Sequence, residues 1–330
     1  MKFQIDSEKE FTAFLLEVSS VHAGDRVQLA NLQVFGEPTG GPAVAPEVPS
    51  TPSTDPRERA SELVRLMTKG EKLSYVGGVD WMYTKAIPRL GIPQMKMSDG
   101  PQGVGTWGNS TAYPCGICLA STWNEDLAHS YGEALALDCR SRGVNILLGP
   151  AVNIHRAPMC GRNFEYYSED PLLTAELAGA MVKGIQSNHI GATLKHFACN
   201  NKETNRKNCD SRVSERAARE IYLKAFERIV KEQKPWAVMS SYNIMNGHRT
   251  SEYKELLTGV LREEWGFGGM VTTDWWTCGE HYKETHAGND LKMPRGFADR
   301  LMEAVRQGCL TREEMETSVG RILKTILKVD

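Results

Sequence analysis

Residues 268–278 read GGMVTTDWWTC, a short apolar run that ends on Asp274 and two tryptophans. The same placement recurs along the chain. Asp99 closes the run in MSDGPQG, Lys195 and His196 close TLKHF, and Tyr242 closes VMSSYN. Arg162 follows soon after NILLGPAVN, in GRNFEYYSEDP. Two carboxylates, a lysine, a guanidinium, an imidazole and a phenol suit a neutral polyhydroxyl ligand. Carboxylates accept from adjacent hydroxyls and the cations donate to them, each bond contributing roughly 1.5–3 kcal/mol. The flat face of such a ligand stacks on indole, a role open to Trp275 or Trp276. A phosphate site calls for more arginine or a glycine nest. The histidines are dispersed, with no HExxH-type spacing for a metal. At this level the choice between Asp274 and Asp99 as the reactive carboxylate stays open.

These residues meet only if the elements carrying them are arranged in parallel. From residue 56 onward, short apolar strands alternate with amphipathic helices. The strand candidates are 93–99, 116–121, 145–150, 191–198, 236–242, 269–275 and 290–294. Helix starts are read at Asp55–Pro56 and Asp170–Pro171, with Asp as N-cap and Pro at the first helical position. Capping boxes are read at Thr122 with Glu125 and at Thr311 with Glu314, and a stop at Gly266. Alternating strand and helix implies a parallel sheet, and a (β/α)8 TIM-like barrel is the closed form expected. In a barrel, strand C-terminal ends converge on one face. The competing open doubly wound sheet lacks its glycine-rich loop after the first strand.

Upstream, residues 1–36 hold two β-like stretches, in which Phe14, Leu16 and Val18 alternate, as do Val27 and Leu29. Residues 37–55 read as a Pro-rich linker. The chain has 330 residues, with 41% apolar and 24% charged. Its formal net charge is −2, which points to neither nucleic acid nor an anionic membrane surface. No run of 18 or more apolar residues is present to span a membrane. The opening MKFQIDSEKEF carries no hydrophobic leader, so the chain reads as cytoplasmic. Its eight cysteines then read as reduced thiols, and Cys115 and Cys118 of the CxxC in YPCGICLAS as small apolar residues in a packed strand.

The stretches MSDGPQG, LLGPAVNIHRAPMCGRNFEYYSEDP, LKHFACNNKETNR, VSERAAREIYLKAFE, VMSSYNIMNG, LLTGVLREEWGFGGMVTTDWW and AGNDLKMP run in one order. Over residues 56–330 they resemble the barrel domain of glycoside hydrolase family 3, β-glucosidase type. The resemblance implies a retaining enzyme that releases terminal β-D-glucosyl residues, with no cofactor. It implies Asp274 as nucleophile and Asp99, Arg162, Lys195 and His196 on the sugar hydroxyls. It places Tyr242 beside the nucleophile and Trp275 at the flank of the next subsite.

Three departures from the family pattern stand out. The arginine that often follows SDGP is absent from SDGPQGVGTWG, and Trp276 fills a position that is usually small. The family's acid/base residue is a glutamate from an αβ-sandwich domain, and some relatives use a histidine-containing loop after KHF instead. Here that loop, ACNNKETNRKNCDS, has no histidine. Glu165, Glu169, Glu203, Glu280 and Glu284 lie in loops that reach the expected rim, but none holds the family's acid position. Residues 1–36 resemble the closing strands of a fibronectin-like domain in permuted members. The chain therefore reads as part of a longer or split enzyme whose sandwich domain or subunit supplies the acid. The other readings are a β-xylosidase or another exo-glycosidase of the family, or a sugar-binding subunit without the catalytic pair.

Overall fold

The structure, a computed structural model, describes residues 52–329. The β-like stretches of 1–36 and most of the linker at 37–55 lie outside the described residues. Five parallel strands form the main sheet: β1 (Met97–Asp99), β2 (Ile146–Leu148), β3 (Gly191–Phe197), β4 (Ala237–Ser240) and β5 (Met270–Thr273), hydrogen-bonded in that order. The register runs Asp99↔Leu148, Leu147↔Ala192, Leu194↔Val238 and Ser240↔Thr273. A parallel bridge from Thr272 to Leu291 and another from Lys292 to Gly77 carry the ladder past β5. Tyr83 then bridges back to Lys96, beside β1. The sheet is therefore curled. The expected strand at 290–294 takes part through these isolated bridges rather than as a regular strand.

The strands are short and apolar because both faces are covered. Ile146, Leu148, Ala237, Met239 and Met270 face one core, shared with helices Pro56–Leu66 and Arg312–Val329. Leu147, Ala192, Leu194, Val238 and Val271 face the other. There they meet helices Glu125–Ser141, Pro171–Gln186 and Lys224–Gln233 and the π-helical segment Glu255–Glu264. This period-two division fixes which strand residues are left to point out of the C-terminal ends.

The capping signals work locally. Asp55 accepts from the Arg57 N–H and Asp170 from the Leu172 N–H. The Thr311–Glu314 box closes through reciprocal bonds of 2.9 and 3.1 Å, and Gly266 ends its helix at φ +73°. Two readings are corrected. Residues 116–121 are not a strand: Gly116–Ala120 is a short helix, with Ile117 and Cys118 exposed and Leu119 and Ala120 buried. Six residues are too few for periodicity to separate strand from helix. Cys118 is thus a surface thiol, Cys115 is half-buried, and all eight cysteines are free. The following helix is capped by Asn124, which accepts from the Leu127 N–H, and not by Thr122. Thr122 Oγ1 donates to the Leu119 carbonyl and so belongs to the preceding turn.

No helix among the described residues is long and apolar enough to cross a membrane.

Candidate active site

At the C-terminal ends of the strands lies a cavity of about 820 Å³. Asp99, Arg162, Lys195, His196, Tyr242, Asp274 and Trp275 all line it, so the structure brings the seven predicted residues together. Each is delivered by an element end. Asp99 is the last residue of β1, Lys195 and His196 immediately precede the last residue of β3, and Asp274 follows β5 directly.

Lys195 is the hub. Its Nζ donates to Asp99 Oδ1 at 3.0 Å and lies 3.7 Å from Glu165 Oε2, and only 2% of the residue is exposed. The ammonium holds the Asp99 carboxyl below its usual range. Arg162 Nε donates to the other Glu165 oxygen. Both oxygens of Glu165 are therefore engaged by cations, and the three side chains fix one another.

His196 is clamped by Asn153. The His196 N–H donates to Asn153 Oδ1 and Asn153 Nδ2 donates to the His196 carbonyl, each at 2.9 Å. Burial keeps the imidazole well below its ordinary pKa, reinforced by the charges of Arg162, Lys195 and Arg206. It is neutral at pH 7. Its Nε2 sits 3.8 Å from Asp274 Oδ2, too far for a hydrogen bond.

Asp274 is 7% exposed. Oδ1 accepts from the Trp275 N–H at 2.7 Å, while Oδ2 has no hydrogen-bond partner. Burial raises its pKa, offset by Arg162, the Trp275 N–H, Lys195 and Tyr242. The carboxylate is thus held from one side with its second oxygen unsatisfied at the cavity wall. A buried polar atom without a partner is costly unless something arrives to meet it. Tyr242 donates to the Trp275 carbonyl at 2.7 Å and carries Arg206 above its ring, 4.4 Å from the centroid.

The strand end that carries Asp274 is pinned from behind. Asp290 Oδ2 accepts from the Val271 N–H at 2.7 Å and from Arg262 Nη2 at 2.7 Å, and Arg321 reaches its other oxygen. Lys292 and Glu284 form a second buried pair, and the loop after Trp276 is tied to it through Thr277 Oγ1 and the Gly279 carbonyl. Both pairs draw on the AGNDLKMP stretch.

Arg206 and Trp81 also line the cavity but carried no role in the sequence reading, whereas Trp276, one of the two indoles offered for stacking, lines it as expected of that offer. Arg206 sits in the loop after β3, where it is one of several charged residues in NKETNRKNCD and nothing local sets it apart. Trp81 lies in a loop with no periodicity to mark it. The expectation for Trp275 changes in one respect. Its indole is buried in the core, with Nε1 donating to the Trp81 carbonyl at 2.8 Å, and the exposed indole is that of Trp276.

Among the described residues, three carboxylates line the cavity: Asp99, Glu165 and Asp274. Glu169 lines a separate, smaller concavity, Glu203 pairs with Arg206, Glu280 is exposed, and Glu284 is buried against Lys292. No group of three or more His, Cys, Asp or Glu residues with metal-ligating geometry occurs among the described residues.

Residues 79–325 match the family described as glycosyl hydrolase family 3 N terminal domain. The chain belongs to glycosyl hydrolase family 3. Beta-glucosidase A of Butyrivibrio fibrisolvens is 56% identical over 234 residues, which cover 70% of this chain and 28% of that protein. Thermostable beta-glucosidase B of Acetivibrio thermocellus is 44% identical over 280 residues, covering 80% and 37%. The solved structure of beta-glucosidase 3B from Thermotoga neapolitana in complex with alpha-D-glucose superposes with a TM-score of 0.79 at 43% identity, covering 82% of this chain and 42% of that one. The chain thus spans between 28% and 42% of the length of these family 3 relatives.

Proposed function

We propose that this chain carries the nucleophile and sugar-binding half of a retaining β-glucosidase. The observation that carries the reading is Asp274. A buried carboxylate with one oxygen fixed and the other unpartnered stands at the wall of a cavity ringed by Asp99, Lys195, Arg162 and His196. The β-glucosidase names of the family relatives support gluco-configured substrates. On this reading the curled sheet is the family's (β/α)8-type barrel, and residues 56–330 are its domain.

In the first step Asp274 Oδ2 attacks the anomeric carbon. The bond from that carbon to the leaving oxygen breaks, and the oxygen takes a proton from a carboxylic acid. In the second step water attacks the same carbon, its proton passes to that group, and the bond to Oδ2 breaks. The sugar is held by Asp99 and Lys195, which accept from and donate to neighbouring hydroxyls, with Arg162 fixing Glu165 behind them. His196 is neutral and serves as a hydrogen-bonding group rather than a cation.

A retaining pair of carboxyls is separated by about 5–5.5 Å. Asp99 and Glu165 are both committed to Lys195, which supports an acid/base group from beyond residues 52–329. An αβ-sandwich domain or a separate subunit fits that role. The direct test is covalent trapping. A dinitrophenyl 2-deoxy-2-fluoro-β-glucoside should add one fluoroglucosyl mass to the peptide containing Asp274. Labelling of another carboxylate, or no labelling at any concentration, would overturn the reading.

A further inference from the structure

Cys115 and Cys118 form a CxxC pair that the cavity chemistry does not use. The fold places both at one helix start. Cys115 is the N-cap of helix Gly116–Ala120, extended at φ −72° and ψ 160°, and Cys118 is the third residue inside it. The Leu119 N–H donates to the Cys115 carbonyl at 3.0 Å, so the N-cap already belongs to the first turn. An N-cap is usually Ser, Thr, Asp or Asn, whose side-chain oxygen accepts a backbone N–H. Cys115 makes no such bond. The position is held by a thiol that does not cap.

Side chains at these two positions face each other. At the last helix of this chain, Thr311 Oγ1 and Glu314 Oε2 meet at 3.0 Å from the same pair of positions. Cα atoms three residues apart in an α-helix are separated by about 5 Å. A disulfide spans Cα separations of about 4.4–6.8 Å. Both thiols also lie beside one phenol. Burial raises the Tyr131 pKa, and Tyr113, Cys115 and Cys118 add to the effect. Access to the two sulfurs differs, for Cys118 is exposed and Cys115 half-buried. That asymmetry suits thiol–disulfide exchange, in which an outer thiol reacts first and an inner one resolves the mixed disulfide.

The pair is connected to the cavity on two sides. Tyr131 Oη lies 2.9 Å from the carbonyl of Pro114, next to Cys115, and 2.9 Å from that of Pro101, two residues beyond Asp99. Pro101 lines the cavity. A Cβ on Gly116 would lie 2.5 Å from the Glu165 carbonyl oxygen. The backbone between the thiols is thus packed on the residue that Arg162 and Lys195 hold.

We propose that Cys115 and Cys118 are a reversible dithiol–disulfide site whose state is transmitted to the cavity through Tyr131. The oxidant is a low-molecular-weight disulfide. The Cys118 thiolate, its proton lost to water, attacks one sulfur of that disulfide. The S–S bond breaks, and one small thiolate leaves and takes up a proton. Cys115 then gives up its proton and attacks the Cys118 sulfur, releasing the second small thiol. The two cysteines lose two electrons and two protons, and the small disulfide gains them.

The test treats the full chain with oxidised glutathione and reads its cysteine peptides by mass. The peptide holding Cys115 and Cys118 should be internally linked, short of two hydrogens, and restored by dithiothreitol. Exposed Cys278 and Cys309, outside any CxxC, should carry glutathione and so report that the oxidant reached the chain. Cys115→Ser should leave glutathione on Cys118, and serine is a good N-cap, so the helix keeps its start. A wild-type 115–118 peptide that stays reduced or carries glutathione while Cys278 and Cys309 react would overturn the site. The second measurement, calorimetry with a gluco-configured inhibitor, rests on the β-glucosidase reading above. Oxidised wild type should bind about 5-fold more weakly than reduced, the lower end of coupling between two sites. The double variant Cys115→Ser, Cys118→Ser, treated alike, should show no such loss, and Tyr131→Phe should shrink it while the disulfide still forms. Equal affinity in the two wild-type states, or an equal loss in the double variant, would overturn the coupling. A reduced chain that binds no inhibitor would sink the β-glucoside reading instead, and the mass result would still decide the disulfide.

Discussion

Lys195 reaches from β3 to the end of β1 and donates to Asp99 Oδ1 at 3.0 Å. The pair spans two strands that are not neighbours in the sheet, with β2 between them. It therefore closes across the cavity instead of along a ladder. Lys195 is buried, whereas the Asp99 side chain is largely open to the cavity. The ammonium is held in place and the carboxylate is left free to meet a ligand.

Removing either partner should weaken sugar binding. Lys195→Ala and Asp99→Ala are each expected to lower affinity for a gluco-configured inhibitor by about 1.5 kcal/mol or more, the scale of one charged hydrogen bond. Lys195→Ala should be the more damaging, because it also strips a cation from Glu165. Asp99 has a lowered pKa in the folded chain. Its stabilising contribution is present above the unfolded value and lost as pH falls through the folded one. Titration calorimetry on the two variants checks the first point, and unchanged affinity in both would place the sugar elsewhere.

Asp274→Asn should abolish covalent trapping and also stabilise the fold at neutral pH. Burial raises the Asp274 pKa. A carboxyl with a raised folded pKa contributes stability below its unfolded value, and that contribution disappears as pH rises through the folded one. At pH 7 the charge is therefore a burden that the amide lacks. Melting temperatures should be higher for the variant at pH 7 and converge with the wild type near pH 3. A lower melting temperature at pH 7 would mean that the charge is compensated by its neighbours.

The pH profile of trapping carries a related expectation. Only ionised Asp274 attacks, so the rate should fall on the acid side with a midpoint above the ordinary aspartate value of about 3.9. No histidine limb should appear near pH 6.5, because burial and three cations keep His196 neutral. A midpoint at or below about 3.9 would contradict the assigned environment of Asp274.

The loop after Asp99 is expected to reject a side chain. Gly100 has φ +136°, and a Cβ there would lie 1.5 Å from the Gly103 carbonyl oxygen. Gly108 is also left-handed, at φ +86°, but faces open space. Gly108→Ala should cost only the backbone term, about 1–2 kcal/mol. Gly100→Ala should cost more and should also reduce sugar affinity, since the carboxylate next to it must move. Urea unfolding of the two variants, beside their inhibitor affinities, separates these effects.

Much of this was legible in the chain because the signals were local. Asp55–Pro56 and Asp170–Pro171 announce helices through two adjacent residues, and apolar runs ending on Asp99, Lys195 and Asp274 announce strand ends. Residues 116–120 misled because Leu119 and Ala120 are buried while Ile117 and Cys118 are not, a pattern too short to show its period. Glu165 looked like one loop carboxylate among five. Its tie to Arg162 is local, but its tie to Lys195 on β3 exists only in the fold. Trp81 became visible only when Trp276 was found against it, more than half the chain away. Such pairings depend on how the strands are assembled, and no window of sequence contains both halves.

The last prediction concerns the leaving group. A natural disaccharide departs only if its oxygen is protonated, and a positioned general acid contributes about 10²–10⁴ in rate. Within residues 52–329 the cavity offers Asp99 and Glu165 beside the nucleophile, and Lys195 engages both. A dinitrophenyl group leaves without a proton. The chain should therefore glycosylate itself readily from dinitrophenyl β-glucoside and turn over cellobiose slowly, with a gap of at least about 100-fold in kcat/KM. Adding a sandwich domain from a family 3 relative should raise the cellobiose rate more than the dinitrophenyl rate. Efficient cellobiose hydrolysis by the chain alone would show that an acid of its own reaches Asp274. Glu165→Gln would then be the variant to identify it.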